Sequence, residues 1–344
     1  VKRLYLLFIF CQLTISSCSS DITGPPEENI PAGRRDYEWT VDTLKSPELL
    51  DISRLWGSSP DNVWAIGTSS STATTIWHYD GNIWRCDSAY RPMTPWAIFG
   101  FSPNEVWIGT NNSYVWKYDG KSWMPFKEYK KNGYTNIVFL NMYGVSPNQI
   151  YAVGYAERYN PYSYTGIVMC YDGTDWKFID IPDVETSFMG IRVDKKTGTL
   201  IIQGYTEGVG GKLYAWDGKN LTEIYNGDYP AVSNINDQIV VTIKQKIYKY
   251  TNSKLVLWMD ETGSNLIGKI WGGRSEKDFF WNSYNGVAHF NGTNFEILYE
   301  ITADNNTGIN AGIIFEKEVF FLTKQIDYQE KNIIIHGRLK EGEN

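Results

Sequence analysis

Apolar residues in this chain come in short runs in which side chains alternate, and each run stops at Gly, Asn, Asp or Pro. VWAIG (63–67), IWHY (76–79), VWIG (106–109), VWKY (115–118), IYAVG (150–154) and VMCY (168–171) are the clearest. Short runs rich in β-branched and aromatic residues, bounded by turn formers, predict strands. Between them lie Ser-Pro-Asp, Ser-Pro-Asn and Asp-Gly. Pro presets the backbone for a type I turn, while the Gly after Asp supplies the positive φ of a tight hairpin.

These signals repeat as a unit. LWGSSPDNVWAIG (55–67) with IWHYDGNIW (76–84) returns as IFGFSPNEVWIG (98–109) with VWKYDGKSW (115–123). It returns again as MYGVSPNQIYAVG (142–154) with VMCYDGTDW (168–176). Weaker copies follow: 189–204 with 214–221, 231–242 with 247–255, 270–282 with 287–295, and 310–323 with 332–339. Each unit holds four strands, the arrangement of a propeller blade. The chain is therefore expected to be all-β, a β-propeller of seven four-stranded blades; the degenerate fifth unit leaves six or eight as alternatives. The seventh unit lacks an aromatic fourth strand. Residues 36–42, DYEWTVD, match 175–180, DWKFID, in pattern, so an N-terminal strand is expected to complete the last blade and remove an exposed edge. Gly57, Gly100, Gly144, Gly190, Gly272 and Gly312 fall in the first strands, where close backbone approach at the axis is expected.

The W-G-S-S-P-x-x-V-W-A-V-G and H-Y-D-G-x-x-W patterns resemble those of secreted bacterial β-propeller repeat lipoproteins. The resemblance is tight over residues 55–176 and thin over 189–339; it implies the fold and an exported location, and it implies no reaction. At the N-terminus Lys2 and Arg3 precede an apolar stretch, and Ile15-Ser16-Ser17 leads into Cys18. This resembles a bacterial lipobox. It implies a signal peptide over 1–17, lipidation of Cys18 and a membrane anchor, with Ser19 favouring the outer membrane. The Pro- and Gly-bearing stretch 18–36 is expected to be a flexible tether, and 37–344 the propeller.

Composition narrows the partners. The 15% aromatic content and 14 Trp exceed what a helical protein of this size carries and suit half-buried strands. A net charge of −7 argues against nucleic acid, whose phosphates need a concentrated basic surface. His78, His289 and His336 occupy similar places in three units, on third strands too far from the axis to converge on a metal. Asp80, Asp119, Asp172 and Asp217 each precede a Gly and are expected to form turns, not a catalytic pair. Cys86 and Cys170 fall two units apart and are expected to be unbridged. No cofactor or metal is expected.

Ligand recognition is expected on a loop face. The stretch 155–166 carries Tyr155, Arg158, Tyr159, Tyr162 and Tyr164, and 127–135 adds Tyr129 and Tyr134. Tyr and Arg are favoured at recognition hot spots. The expected function is a lipid-anchored, non-catalytic propeller that binds an envelope protein or a glycan. The alternatives are a glycan-active enzyme, which needs acids clustered in the central channel, and an outer-membrane assembly scaffold. Of the first strands, Arg54 and Lys269 stand out as charged exceptions to an apolar lining.

Overall fold

A computed structural model describes residues 33–301, 306–325 and 331–341. The expected signal peptide, Cys18 and most of the expected tether lie outside the described residues. Seven sheets of four antiparallel strands form the fold, with no helix among the described residues.

Blade one is β2 (Leu50–Ser59), β3 (Asn62–Ser69), β4 (Ile76–Tyr79) and β5 (Trp84–Cys86), and blade two is β6 (Pro95–Ser102), β7 (Glu105–Thr110), β8 (Tyr114–Tyr118) and β9 (Trp123–Glu128). Blade three has longer strands: β10 (Asn136–Ser146), β11 (Gln149–Tyr159), β12 (Tyr162–Tyr171) and β13 (Trp176–Phe178). Blade four is β14 (Ser187–Val193), β15 (Leu200–Thr206), β16 (Gly210–Trp216) and β17 (Leu221–Gly227), and blade five is β18 (Pro230–Ile235), β19 (Gln238–Ile243), β20 (Lys246–Thr251) and β21 (Lys254–Asp260). Blade six is β22 (Leu266–Ser275), β23 (Asp278–Ser283), β24 (Gly286–Phe290) and β25 (Phe295–Glu300). Blade seven is β26 (Asn306–Ile314), β27 (Glu318–Gln325) and β28 (Lys331–Leu339), completed by β1 (Tyr37–Leu44).

β1 pairs with β28 from Tyr37↔Leu339 to Leu44↔Asn332, so both ends of the chain close the ring. Immediately before it, the Arg35 guanidinium donates to the Asn294 carbonyl (2.6 Å) and pairs with Glu296 (2.8 Å), fastening the chain to blade six. Tyr37 adds a second fastening, accepting a hydrogen bond from Arg274 at 2.8 Å.

The core lies between blades, as alternation requires: each strand's two sets of side chains face two neighbours. Trp64, Ile66 and Ile76 of blade one pack on Ile98, Val106 and Trp116 of blade two. Trp107, fully buried, packs on Phe139, Tyr171 and Trp176 of blade three. The Asp-Gly turns act as expected. The Oδ1 atoms of Asp80, Asp119, Asp172 and Asp217 each accept two backbone N–H groups, and the Gly that follows each has φ of 90–95°. Those bonds hold the Asp80 carboxyl at a pKa of about 2.

The first-strand glycines have a different cause from the one expected. A Cβ on Gly100 would lie 2.8 Å from the Trp56 ring, one on Gly144 2.6 Å from Phe99, and one on Gly312 2.9 Å from Trp271. These glycines receive an aromatic ring from the preceding blade as well as close contacts within their own, the Glu105 carbonyl at Gly100 and the Phe321 ring at Gly312. Gly190 is not their equivalent. Gly57, Gly100 and Gly144 pair with Val63, Val106 and Ile150, whereas Gly190 pairs with Gln203 and Val193 takes the corresponding place opposite Leu200.

Candidate binding site

Antiparallel order puts the second-to-third turns and the connections into each first strand at one end of the ring. Large apolar side chains exposed in turns and connections collect there. Leu49, Tyr90, Tyr159, Tyr162, Tyr205, Val209, Tyr229 and Tyr284 lie at that end, against Ile83 and Met124 in or beside the described turns of the other. Scattered exposed apolar residues are ordinary; their segregation to one face makes that face the candidate contact surface.

The most prominent element on this face is the tip of β11–β12. Residues 155–166, expected as a loop, are instead the end of a continuous hairpin turning at Asn160-Pro161. Tyrosines alternating with small or polar residues, YAERY (155–159) and YSYTG (162–166), carry the ladder out to the turn. Register then sorts the candidate residues. Tyr159 pairs with Tyr162, Glu157 with Tyr164 and Tyr155 with Gly166, so the four tyrosines and Glu157 share one face of the hairpin. Tyr155 and Tyr164 ring centroids are 6.2 Å apart, and Tyr162 and Tyr164 6.1 Å. Arg158 pairs with Ser163 on the opposite face, where its Nε donates to the Pro161 carbonyl at 3.2 Å. It braces the turn and does not join the tyrosines.

Glu157 is the polar centre of this patch, nearly buried, accepting from Asn136 Nδ2 (2.9 Å) and the Tyr159 hydroxyl (2.8 Å). Burial, and secondarily the Glu157 charge, push the Tyr155 phenol up to about 12, so it stays neutral at physiological pH. At the tip Tyr159 and Tyr162 are 65% and 62% exposed, which leaves their ring faces free for a partner. Tyr129 and Tyr134 do not extend the patch. Tyr129 is buried with its hydroxyl donating to Asp175 (2.7 Å), and Tyr134 packs on the core between blades two and three.

The overall topology has counterparts among solved structures. The chain is similar in fold to YCF48. A structure of YCF48 bound to D1 peptide aligns over 91% of this chain and 100% of that one, with a TM-score of 0.62 and 13% identity. YCF48 from Cyanidioschyzon merolae aligns over 87% and 98%, with a TM-score of 0.59 and 13% identity. At such identity the likeness establishes the seven-bladed propeller and nothing finer. No family model and no curated protein matches the sequence.

The axial channel differs from the apolar lining expected. Arg54 and Lys269, noted as exceptions, are joined by Arg192, which the sequence reading overlooked. In register Arg192 lies opposite Ile201, the place that Trp56, Phe99 and Tyr143 hold opposite Trp64, Trp107 and Tyr151. Aligning blade four on Gly190 hides this; aligning it on the second strand, LIIQG against VWAIG, exposes it. Arg192 stacks over the Tyr143 ring at 5.0 Å. Arg54 reaches from blade one to blade three, donating from Nη2 to the Leu140 carbonyl at 3.4 Å.

The histidines sit in separate structural settings. His78 is bonded to Asn62 (2.6 Å), His289 to Asp278 (2.8 Å) and His336 to Glu318 (2.6 Å), each across its own blade from third strand to second. His336 also stacks on Phe320 at 3.9 Å. Cys86 and Cys170 are free thiols on β5 and β12.

Proposed function

We propose that the protein is a lipid-anchored binding propeller of the bacterial cell envelope, which holds an extended segment of a protein partner against its aromatic face. The observation that carries this reading is the segregation of exposed tyrosines to one end of the ring, centred on Tyr159 and Tyr162. Flat, rigid, amphipathic rings on a stiff hairpin lose little entropy when a partner docks, which is why Tyr dominates recognition surfaces. YCF48, similar in fold, has been seen with a peptide bound, and this favours a polypeptide over a glycan as occupant. Acylation of Cys18 would supply the anchor, with the chain before Arg34 acting as tether; multiple acyl chains give durable attachment. The glycan-active alternative would require paired carboxylates. The inner strands place Arg54, Arg192 and Lys269 together, and the carboxylate whose charge reaches Arg54, Asp51, is paired with Lys324.

The test is photo-crosslinking in cells expressing the full chain. A benzophenone amino acid at Tyr162 should trap a discrete protein adduct, and one at Ile83, in a turn of the opposite face, should not. Tyr159→Ala/Tyr162→Ala should abolish capture by a benzophenone at Tyr284. Equal crosslinking from both faces would defeat the docking surface. Metabolic labelling with a fatty-acid analogue, lost in Cys18→Ala, tests the anchor separately; labelling retained in that variant would refute it.

A further inference from the structure

We propose that the axial channel is a binding site for an oxyanion, a carboxylate or phosphate group, gripped by Arg54, Arg192 and Lys269. The three cations come from β2, β14 and β22, in blades one, four and six, and so approach the axis from well-separated directions around the ring. Among the described residues none of them forms a direct ion pair. Asp51, on the strand of Arg54 and paired with Lys324, gives Arg54 partial compensation. Arg192 and Lys269 lie over the Tyr143 and Trp271 rings, which leaves most of their donors unused. Arg192 donates only from Nη1, to the carbonyl of its neighbour Ile191, and its Nε is buried without a partner. Arg54 has two carbonyl contacts, to Ser53 and Leu140. Lys269 makes no hydrogen bond.

The backbone is shaped to hold Lys269 there. Between Leu266 and Ile270 β22 leaves register with β23, Gly268 adopts φ 61°, and the Gly268 carbonyl is fixed by Thr242 Oγ1 (2.5 Å) and Trp281 Nε1 (3.2 Å). Bulges of this kind re-aim side chains at functional sites. The strands packed on β22 offer the lysine no counter-charge: β18, β19 and β26 carry no ionisable residue, and Asp278 on β23 is committed to Arg274 and His289. Burial, then repulsion from Arg192 and Arg54, lowers the Lys269 pKa to about 7. Like charges kept together inside a protein without compensation are unfavourable unless a ligand supplies the opposite sign. Two guanidinium forks and an ammonium match oxyanion chemistry.

Tyr229, half exposed on the aromatic face, lies in the field of Arg54, which ties the cations to that end of the ring. The oxyanion could therefore arrive as a free small anion or on the segment proposed above; only the second source rests on that reading.

The experiment uses residues 31–344, a compact unit in its own right. Thermal unfolding and calorimetric titration are run with phosphate, sulfate or citrate against chloride of equal ionic strength, and with an uncharged-side-chain peptide bearing a free or an amidated C-terminus. An oxyanion is expected to raise Tm where chloride does not. Arg192→Gln and Lys269→Met should raise Tm in chloride, having removed uncompensated charge. The same variants should weaken oxyanion binding by about tenfold or more, the loss of one charge-assisted contact. Lys254→Gln, on an exposed outer strand, should change neither. Binding of the free-acid peptide alone would assign the oxyanion to a partner's terminus, and binding of phosphate would assign it to a small anion. No response to any of these, or a fall in Tm for Lys269→Met in chloride, would overturn the site and make the cations structural. Phosphate binding intact in Tyr159→Ala/Tyr162→Ala separates this inference from the docking surface.

Discussion

Blades one to three and blades four to six solve the same packing problem with different materials. In the first group Trp56, Phe99 and Tyr143 occupy one register position on successive inner strands, and the Trp56 and Phe99 rings settle on Gly100 and Gly144 of the blades that follow. In blade four that position holds Arg192, and blade six adds Lys269 on a bulge. The regular blades carry the repeat, and their buried aromatic packing is expected to carry more of the stability. The degenerate blades carry side chains that packing alone would not select, a mark of chemistry beyond packing, whereas the exposed tyrosine hairpin is an extension of regular blade three.

The comparison can be broken most forcefully at Trp107, fully buried between blades two and three. Trp107→Ala should destabilise the ring by about 3–5 kcal/mol, read by denaturant unfolding. A loss below about 1 kcal/mol would mean that the regular blades are not the stabilising half. The opposite sign is expected at the axis. Arg192→Phe, which restores the ring its position holds elsewhere, should stabilise by about 1–3 kcal/mol. Destabilisation there would show the guanidinium stack on Tyr143 to be structural.

Smaller again is the pH response. Lys269 has a folded pKa of about 7 against an ordinary lysine value of 10.5, so between these values the unfolded chain binds more protons than the folded one. Stability from this group should rise as pH increases from about 7 to about 10, and fall on the return. Lys269→Met should flatten that slope in a Tm-versus-pH series; an unchanged slope would place the lysine's titration near its ordinary value. The smallest effect belongs to the hairpin tip. Tyr159→Ala/Tyr162→Ala should alter folding stability by no more than about 0.5 kcal/mol, as exposed sites do. A larger loss would show the tyrosines packing the hairpin on itself rather than waiting for a partner.

Most of the architecture was legible because its signals are local. Ser-Pro-Asn and Asp-Gly mark turns through φ preferences, and VWAIG-type runs mark strands by alternation. Ring closure by Tyr37–Leu44 was legible from a missing aromatic strand at one end and a spare one at the other. The site was less so. Tyr155, Tyr159, Tyr162 and Tyr164 were visible as a cluster, but only register separates Arg158 from them. Arg192 was hidden because Gly190 offered a false alignment with Gly100.

By itself, then, the sequence determined the strands, the turns, the repeat and the expected closure, since each depends on the chemistry of a few adjacent residues, while the count of seven was settled by the sheets. Only the tertiary structure decided which side chains meet: which ring an inner-strand glycine receives, which face of the hairpin each tyrosine takes, and that Arg54 and Arg192 come within range of the Lys269 charge. Those meetings depend on register and on the ring bringing residues 54, 192 and 269 to a common axis, and register is set by pairing across strands.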